Sequence, residues 1–294
     1  MNGALLAQTL VDGLILGGIY ALSAVGFSLI FGVLGVVNLA HGVFVLLGAY
    51  VGLMVKNAFG IDPLMAIPIA FAILFIFGAF FQLWVVSTAI RRGSLISSLL
   101  VTFGASLILK DIIIVFIGPD IHTLDSAWVL GTHNVGGIVI DGARATALLA
   151  SLLLLGLLAL VLYKTAMGRA IRATAQQSFA AGLCGINCRR IYALTFGVSA
   201  GFAAASGVIV GIINPFSPSD DAFWTLNAFV TVVLGGIGSP LGALLGGLLL
   251  GEISTLSSQY VGATFPNIFM VCTLLLMLLV RPNGIMGNAY KGSV

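Results

Sequence analysis

Residues 63–90, PLMAIPIAFAILFIFGAFFQLWVVSTAI, contain no charged side chain, with Asp62 directly before them and Arg91-Arg92 directly after. About 20 apolar residues at 1.5 Å each cross the roughly 30 Å of bilayer hydrocarbon, so this run reads as a membrane helix. It is longer than one crossing needs and must tilt or break. The flanking charges also give it a direction, acid on one side and base on the other.

Outward from this stretch the rest of the chain repeats the pattern. Of 294 residues 60% are hydrophobic and 7% charged, whereas soluble domains are about a quarter charged. A soluble enzyme is excluded. The reading is an all-α polytopic membrane protein, one transmembrane domain over 1–294, with about eight or nine membrane helices and a broken or re-entrant segment. Spans fall near 5–31, 38–55, 63–90, 95–117, 142–163, 191–213, 224–237, 241–259 and 265–280. The first span is also over-long, with Gly17-Gly18 its weak point. No basic residue precedes it and Asp12 lies within it, so it is expected to stay as a helix rather than act as a cleavable signal. The net charge of +3 is scattered, which gives nucleic-acid binding no electrostatic support. Cys184, Cys188 and Cys272 allow no disulfide framework.

Nine of the twelve basic residues, Arg91, Arg92, Lys164, Arg169, Arg172, Arg189, Arg190, Arg281 and Lys291, fall on one side of these spans. The positive-inside rule makes that side cytoplasmic. Asp62, Asp120, Asp125, Asp141, Asp220 and Asp221 fall opposite. The N-terminus is then outside and the C-terminus inside, provided that Gly235-Gly236-Ile237-Gly238-Ser239-Pro240 turns near the cytoplasmic face. That break must be buried in protein, line a wet cavity or reach the surface. The extracytoplasmic connection 118–141 contains Gly118-Pro119, His122, Trp128, His133 and Gly136-Gly137 and suits an ordered cap. The cytoplasmic connection 164–190 contains RAIRATAQQSFAA (169–181), which reads as one short amphipathic helix ended by Gly182 and Gly185.

Glycines recur four apart (Gly13/Gly17, Gly48/Gly52, Gly197/Gly201, Gly207/Gly211, Gly242/Gly246, Gly247/Gly251), a spacing that lets membrane helices approach closely. Thr-Phe-Gly-x-Ser occurs at Thr102–Ser106 and again at Thr195–Ser199, a hint of internal duplication. Gly197-x-Ser199-x-Gly201 matches a hydrolase nucleophile pattern, but it lies inside an apolar helix among small residues, where packing explains it. No H-E-x-x-H, metal-completing Cys or His, or phosphate-binding P-loop is present. Asn38 and His41 have two readings. Asn38 caps a helix starting at Leu39 while His41 reaches a carbonyl or the interface, or both share a helix face and line the substrate path. Glu252, the sole glutamate, is protonated, hydrogen-bonded to Ser254 or a neighbouring helix, or exposed to water. Lys110 and Asp111 snorkel or pair with each other. Gln82, Asn227 and Gln259 read as interhelical contacts.

Taken together, four elements resemble the membrane permeases of branched-chain amino-acid ABC importers, whose relatives import urea and amides. They are 16–50 with Gly35, Asn38, His41 and Gly42; Gly168-Arg169-Ala170-x-Arg172-Ala173 followed by Ala180-Ala181-x3-Gly185; 232–252, VVLGGIGSPLGALLGGLLLGE; and Arg281-Pro282-Asn283-Gly284. The chain differs where relatives often carry an acid, at Gln177–Phe179, and where many carry Glu, at Val43. The resemblance implies one half of a permease heterodimer, with a homodimer as the alternative, in a bacterial-type inner membrane. Two cytoplasmic ATPases would bind ATP and Mg, so this chain would need no cofactor, and an extracytoplasmic binding protein would deliver substrate. It implies that 169–181 docks on an ATPase, with Gly185 turning the chain back and Arg169 and Arg172 facing acidic or phospholipid groups. The rival class, an ion-coupled transporter or channel, would have to couple through Glu252, Asp12 or Lys110/Asp111.

Overall fold

A computed structural model describes residues 3–92, 95–129, 131–135 and 137–286. Lys291 and Gly136, used above for orientation and for the cap, lie outside the described residues. The helices, in chain order, are α1 (Gly3–Leu34), α2 (His41–Phe59), α3 (Pro63–Phe81), α4 (Ser87–Arg92), α5 (Leu95–Phe116), α6 (Gly142–Lys164), α7 (Ala166–Gln176), α8 (Ser178–Leu183), α9 (Cys188–Ile213), α10 (Asp221–Gly235), α11 (Pro240–Tyr260) and α12 (Pro266–Val280). Two short strands, β1 (His133–Val135) and β2 (Ile138–Ile140), pair as an antiparallel hairpin. Among the described residues seven helices are long and apolar enough to cross a membrane. α10 and α12, at 15 residues each, occupy the places of the two remaining apolar runs, 224–237 and 265–280, and are shorter than those seven.

Local chemistry sets where helices begin. Asp62 accepts from the Leu64 amide at 2.9 Å with Pro63 in the first turn, and Asp141, Asn187 and Ser239 accept at 3.0–3.1 Å from the amides of Arg144, Arg190 and Gly242. Each satisfies a helix-end N–H that would otherwise lack a partner. α1 and α9 form the buried axis; α5 and α6 lie at the periphery. Around the axis Phe44, Phe77, Phe81 and Phe196 meet with ring centroids 5.6–6.1 Å apart. Large apolar side chains face outward instead, among them Phe80, Ile108, Leu153 and Leu276. That inverted surface suits lipid rather than water.

The glycine spacings mark close helix contacts, as expected. A Cβ on Gly207 would stand 1.8 Å from the Val45 carbonyl oxygen, and one on Gly48 2.1 Å from that of Ala204, which joins α2 to α9. Gly17, Gly247 and Gly251 join α1 to α11 in the same way. This corrects one expectation: α1 does not break at Gly17-Gly18, because those glycines permit close packing rather than a bend. The over-long third run is relieved elsewhere, by a π-helical turn over Gln82–Val86 between α3 and α4. The single helix expected over 169–181 is likewise two helices. Gln177 is extended (φ −157°) between them, and Gly182 lies inside α8.

The two connections mark opposite ends of the bundle. Gln8 of α1 bonds Val139 of the hairpin, while α7 and the Gly238–Pro240 turn border the far end of α1 at Leu29, Gly32 and Val33. The break therefore sits at the α7–α8 end, opposite the hairpin.

Candidate functional site

At the hairpin end a cavity of about 600 Å³ opens between α1, α10 and α11, within the range of about 300–1,000 Å³ usual for small-ligand pockets. Its mouth carries Gln8, Asp12 and Arg144; its deeper wall carries Ile19, Tyr20 and Trp224; Ser254 and Gln259 add polar atoms from the side. Arg144 Nη1 lies 3.4 Å from Asp12 Oδ1, and Gln8 Nε2 donates to Asp12 Oδ2 at 3.2 Å. Tyr20 and Trp224 meet edge to face at 6.3 Å, and Phe223 packs on Trp224 at 5.3 Å. Charge at the rim and aromatics below suit a small solute with a polar end and an apolar end. Sequence reasoning considered Asp12 only for ion coupling and missed Arg144. The available signal was that Arg144 is a basic residue among the acids of the hairpin end.

Asn38 and His41 lie deeper, in a polar junction buried within the bundle. The chain leaves α1 at Gly35 (φ +68°). Asn38 Oδ1 then accepts from the Ala40 amide at 3.1 Å, an Asx-type turn. α2 begins at His41, so the expectation that Asn38 caps a helix from Leu39 and shares a face with His41 is corrected. His41 Nε2 contacts the Ser23 carbonyl oxygen of α1 at 2.7 Å. Thr225 of α10 accepts from Gly42 N at 2.9 Å, and Thr102 of α5 accepts from Leu39 N at 3.2 Å. Among the described residues Asn38 Nδ2 and His41 Nδ1 have no hydrogen-bond partner.

Beside this junction Lys110 Nζ reaches Asp221 Oδ1 at 2.9 Å, with Ser106 Oγ 3.4 Å from Oδ2. The expected Lys110–Asp111 pairing is corrected, since adjacent helix residues point to different faces. Glu252 is half-buried over the face of Gly13, and among the described residues its enclosed Oε2 has no hydrogen-bond partner; Ser254, one of the partners considered for it, lines the cavity. Ser199 is buried in the middle of α9, which gives it no elbow from which to act as a nucleophile. Among the described residues no group of three or more His, Cys, Asp or Glu side chains could hold a metal.

The helix break is built from both ends. Gly236 (φ +110°) and Gly238 (φ +83°) turn the chain, and Pro240 starts α11. Gly235 and Gly242 face each other so closely that a Cβ on Gly235 would lie 1.9 Å from the Gly242 carbonyl oxygen. The Arg281-Pro282-Asn283-Gly284 turn folds back onto this break. Ile285 N and Met286 N donate to the carbonyls of Leu234 and Gly235 at 2.9 and 3.0 Å, satisfying groups that the end of α10 leaves open. Sequence spacing gave no sign that these two motifs meet.

At the same end α7 packs across α6, α1 and α9, burying Gly168, Ile171 and Thr174, and α8 follows it. Gly168 abuts the Val161 and Leu162 carbonyls and has no room for a side chain. Arg169 is exposed, whereas Arg172 turns inward. It donates to the Leu162 carbonyl oxygen and lies 5.3 Å from the centre of the Tyr163 ring. The expectation that Arg172 faces acidic or phospholipid groups is corrected, because the carbonyl end of α6 attracts the cation first. Ala181 is buried; Phe179 and Leu183, four residues apart, are 74% and 76% exposed. α8 ends in a Schellman turn: Ile186 N donates to Ala181 O at 3.0 Å and Gly185 N to Gly182 O at 3.0 Å, with Gly185 at φ +84°.

Comparison with known proteins adds the following. The family described as branched-chain amino acid transport system, permease component, matches residues 9–281. The high-affinity branched-chain amino acid transport system permease protein LivH of Escherichia coli (strain K12) is 33% identical over 302 residues, covering 96% of this chain and 95% of the relative. BraD of Pseudomonas aeruginosa, a permease protein of the same description, is 32% identical over 295 residues with the same coverage of both chains. The LivM permease protein of Escherichia coli (strain K12) is 25% identical over 302 residues, 94% of this chain and 69% of the relative. No solved structure matches the chain.

Proposed function

This chain belongs to the permease family of branched-chain amino acid transport systems, and from that premise we propose that it is the membrane-spanning permease subunit of an ATP-driven importer of branched-chain amino acids. The observation that carries the reading is the end-to-end match with LivH, 96% of one chain against 95% of the other. The matched region holds no phosphate-binding P-loop of its own. The chain is a transporter component and not an enzyme. ATP and Mg belong on two separate cytoplasmic ATPase subunits, and an extracytoplasmic binding protein delivers the substrate. Likeness to both LivH and LivM supports a second, homologous permease as partner.

We place the chain in a bacterial-type cytoplasmic membrane with the hairpin end outside and the α7–α8 end inside. The cavity is then the outward entrance. The junction of Asn38 and His41 lies on the closed continuation of the path, and the break at Gly235–Pro240 at its inner gate, with Glu252 on the wall between α1 and α11. Phe179 and Leu183 of α8 supply the apolar contact with an ATPase. Gly168, Ala180, Ala181 and Gly185 shape the support beneath it, and Arg169 supplies an exposed charge.

The test is reconstitution in proteoliposomes with the partner permease, ATPases and binding protein, following L-leucine uptake. Uptake should require ATP and every partner; gradient-driven uptake by the isolated chain would overturn the reading. Phe179→Ser/Leu183→Ser should weaken co-purification of the ATPase by about tenfold or more, the scale of losing two exposed anchors, while leaving membrane insertion intact.

A further inference from the structure

We propose that Asp12 and Arg144, at the mouth of the hairpin-end cavity, form a zwitterion-reading clamp for the incoming amino acid. Arg144 takes the α-carboxylate and Asp12 the α-ammonium, with the side chain directed inward along α1. The assignment rests on the importer function proposed above.

The geometry carries it in three ways. At 3.4 Å the ion pair is loose, and an exposed pair of that kind contributes little stability, so a substrate bearing both charges can separate it without loss. A guanidinium has five N–H donors, and Arg144, half-exposed, commits its side chain to this one contact among the described residues. Asp12 is held more firmly. Gln8 donates to it, and Gln8 is itself fixed by reciprocal 2.8 Å bonds with the backbone of Val139. One partner is therefore positioned and the other is free to pivot toward a carboxylate.

The third observation is what lies below. Ile15 and Leu16 follow Asp12 by one turn, and Tyr20, against Trp224, by two turns or about 12 Å of helix rise. A branched aliphatic side chain whose charged end sits at Asp12 and Arg144 meets apolar surface at once. The other ion pair in a surface hollow, Lys56–Asp125, offers no such wall: Asp125 is 91% exposed and the hollow opens beside the α2–α3 connection.

The assembled importer in proteoliposomes tests the clamp through initial rates of L-leucine uptake, with membrane abundance and partner co-purification followed in each variant. Asp12→Asn and Arg144→Gln should each lower uptake by about tenfold or more, the loss of one charge-assisted hydrogen bond. Asp12→Glu, which keeps the charge, should retain most of it. In the neutral double variant no charge is left unpaired, so a purely structural pair would be relieved, whereas a clamp stays broken and uptake stays low. Restored uptake in the double variant, or equal loss in Asp12→Glu and Asp12→Asn, overturns the clamp and leaves the importer function standing. Failure of the wild-type assembly to take up any branched-chain amino acid overturns the function, and the clamp with it.

Discussion

At the scale of single residues, the glycines divide into two physical classes that sequence alone does not separate. Gly207 and Gly48 face carbonyl oxygens of the adjoining helix at distances no Cβ tolerates, whereas Gly156, in the middle of α6, has nothing within 4 Å of its ideal Cβ. In a bundle whose apolar exterior is already solvated by lipid, close van der Waals contact replaces the hydrophobic drive between helices, so the first class holds α2 to α9. Gly207→Ala should cost about 3 kcal/mol through forced separation of those helices. Gly156→Ala should leave stability unchanged or raise it by about 0.5–1 kcal/mol, because glycine is the poorer helix former. Thermal unfolding in detergent checks the pair: a Tm several degrees lower for the first and level or higher for the second. Equal effects would show that burial of the backbone contact is not what matters.

At the scale of elements, the hairpin is reached from α1 by the side chain of Gln8. The amide of Gln8 answers both the N–H and the C=O of Val139 at 2.8 Å, as a neighbouring strand would, and thereby ties β2 to α1. Gln8→Ala should raise the hydrogen-exchange rate of the Val139 amide by about tenfold or more, the worth of one hydrogen bond at a locally opening site, while α9 amides stay protected; unchanged exchange at Val139 would mean that other contacts hold the hairpin. Elements of this kind mark where sequence reading stopped. Runs such as 63–90 and 191–213 announce themselves because their apolar length alone decides a crossing, and the glycine-proline break at 235–240 announces itself because no helix continues through it. Gln8 gives no such signal, since its partner is 131 residues away. The same holds for Lys110, whose partner is Asp221 rather than its neighbour, and for Arg144. Spacing rules describe faces within one helix; which helix lies opposite is settled by packing. The Gln177 break between α7 and α8 was hidden for another reason: helix formers flank it, and local propensity is a weak guide where the tertiary fold decides.

At the scale of the whole molecule, the two ends differ in how their charges are answered. Toward the hairpin end each of the three basic residues meets a carboxylate: Lys56 with Asp125 at 3.5 Å, Lys110 with Asp221 at 2.9 Å and Arg144 with Asp12 at 3.4 Å. At the α7–α8 end Lys164, Arg169, Arg189, Arg190 and Arg281 make no ion pair with a carboxylate among the described residues. At one end every base is answered and acids are in excess, and the other carries a field of uncompensated cations, which an anionic cytoplasmic leaflet attracts. The molecule supplies its own reporter for the sidedness this predicts, because Cys184, beside α8, is exposed. Trp128, in the connection at the opposite end, is exposed as well. With a membrane-impermeant thiol reagent applied to intact cells, the Trp128→Cys variant should be modified at its introduced thiol while Cys184 is spared, and permeabilising the cells should expose Cys184. Modification of Cys184 in intact cells, with the introduced thiol of Trp128→Cys protected, would invert the molecule in the membrane and place the cavity on the cytoplasmic side.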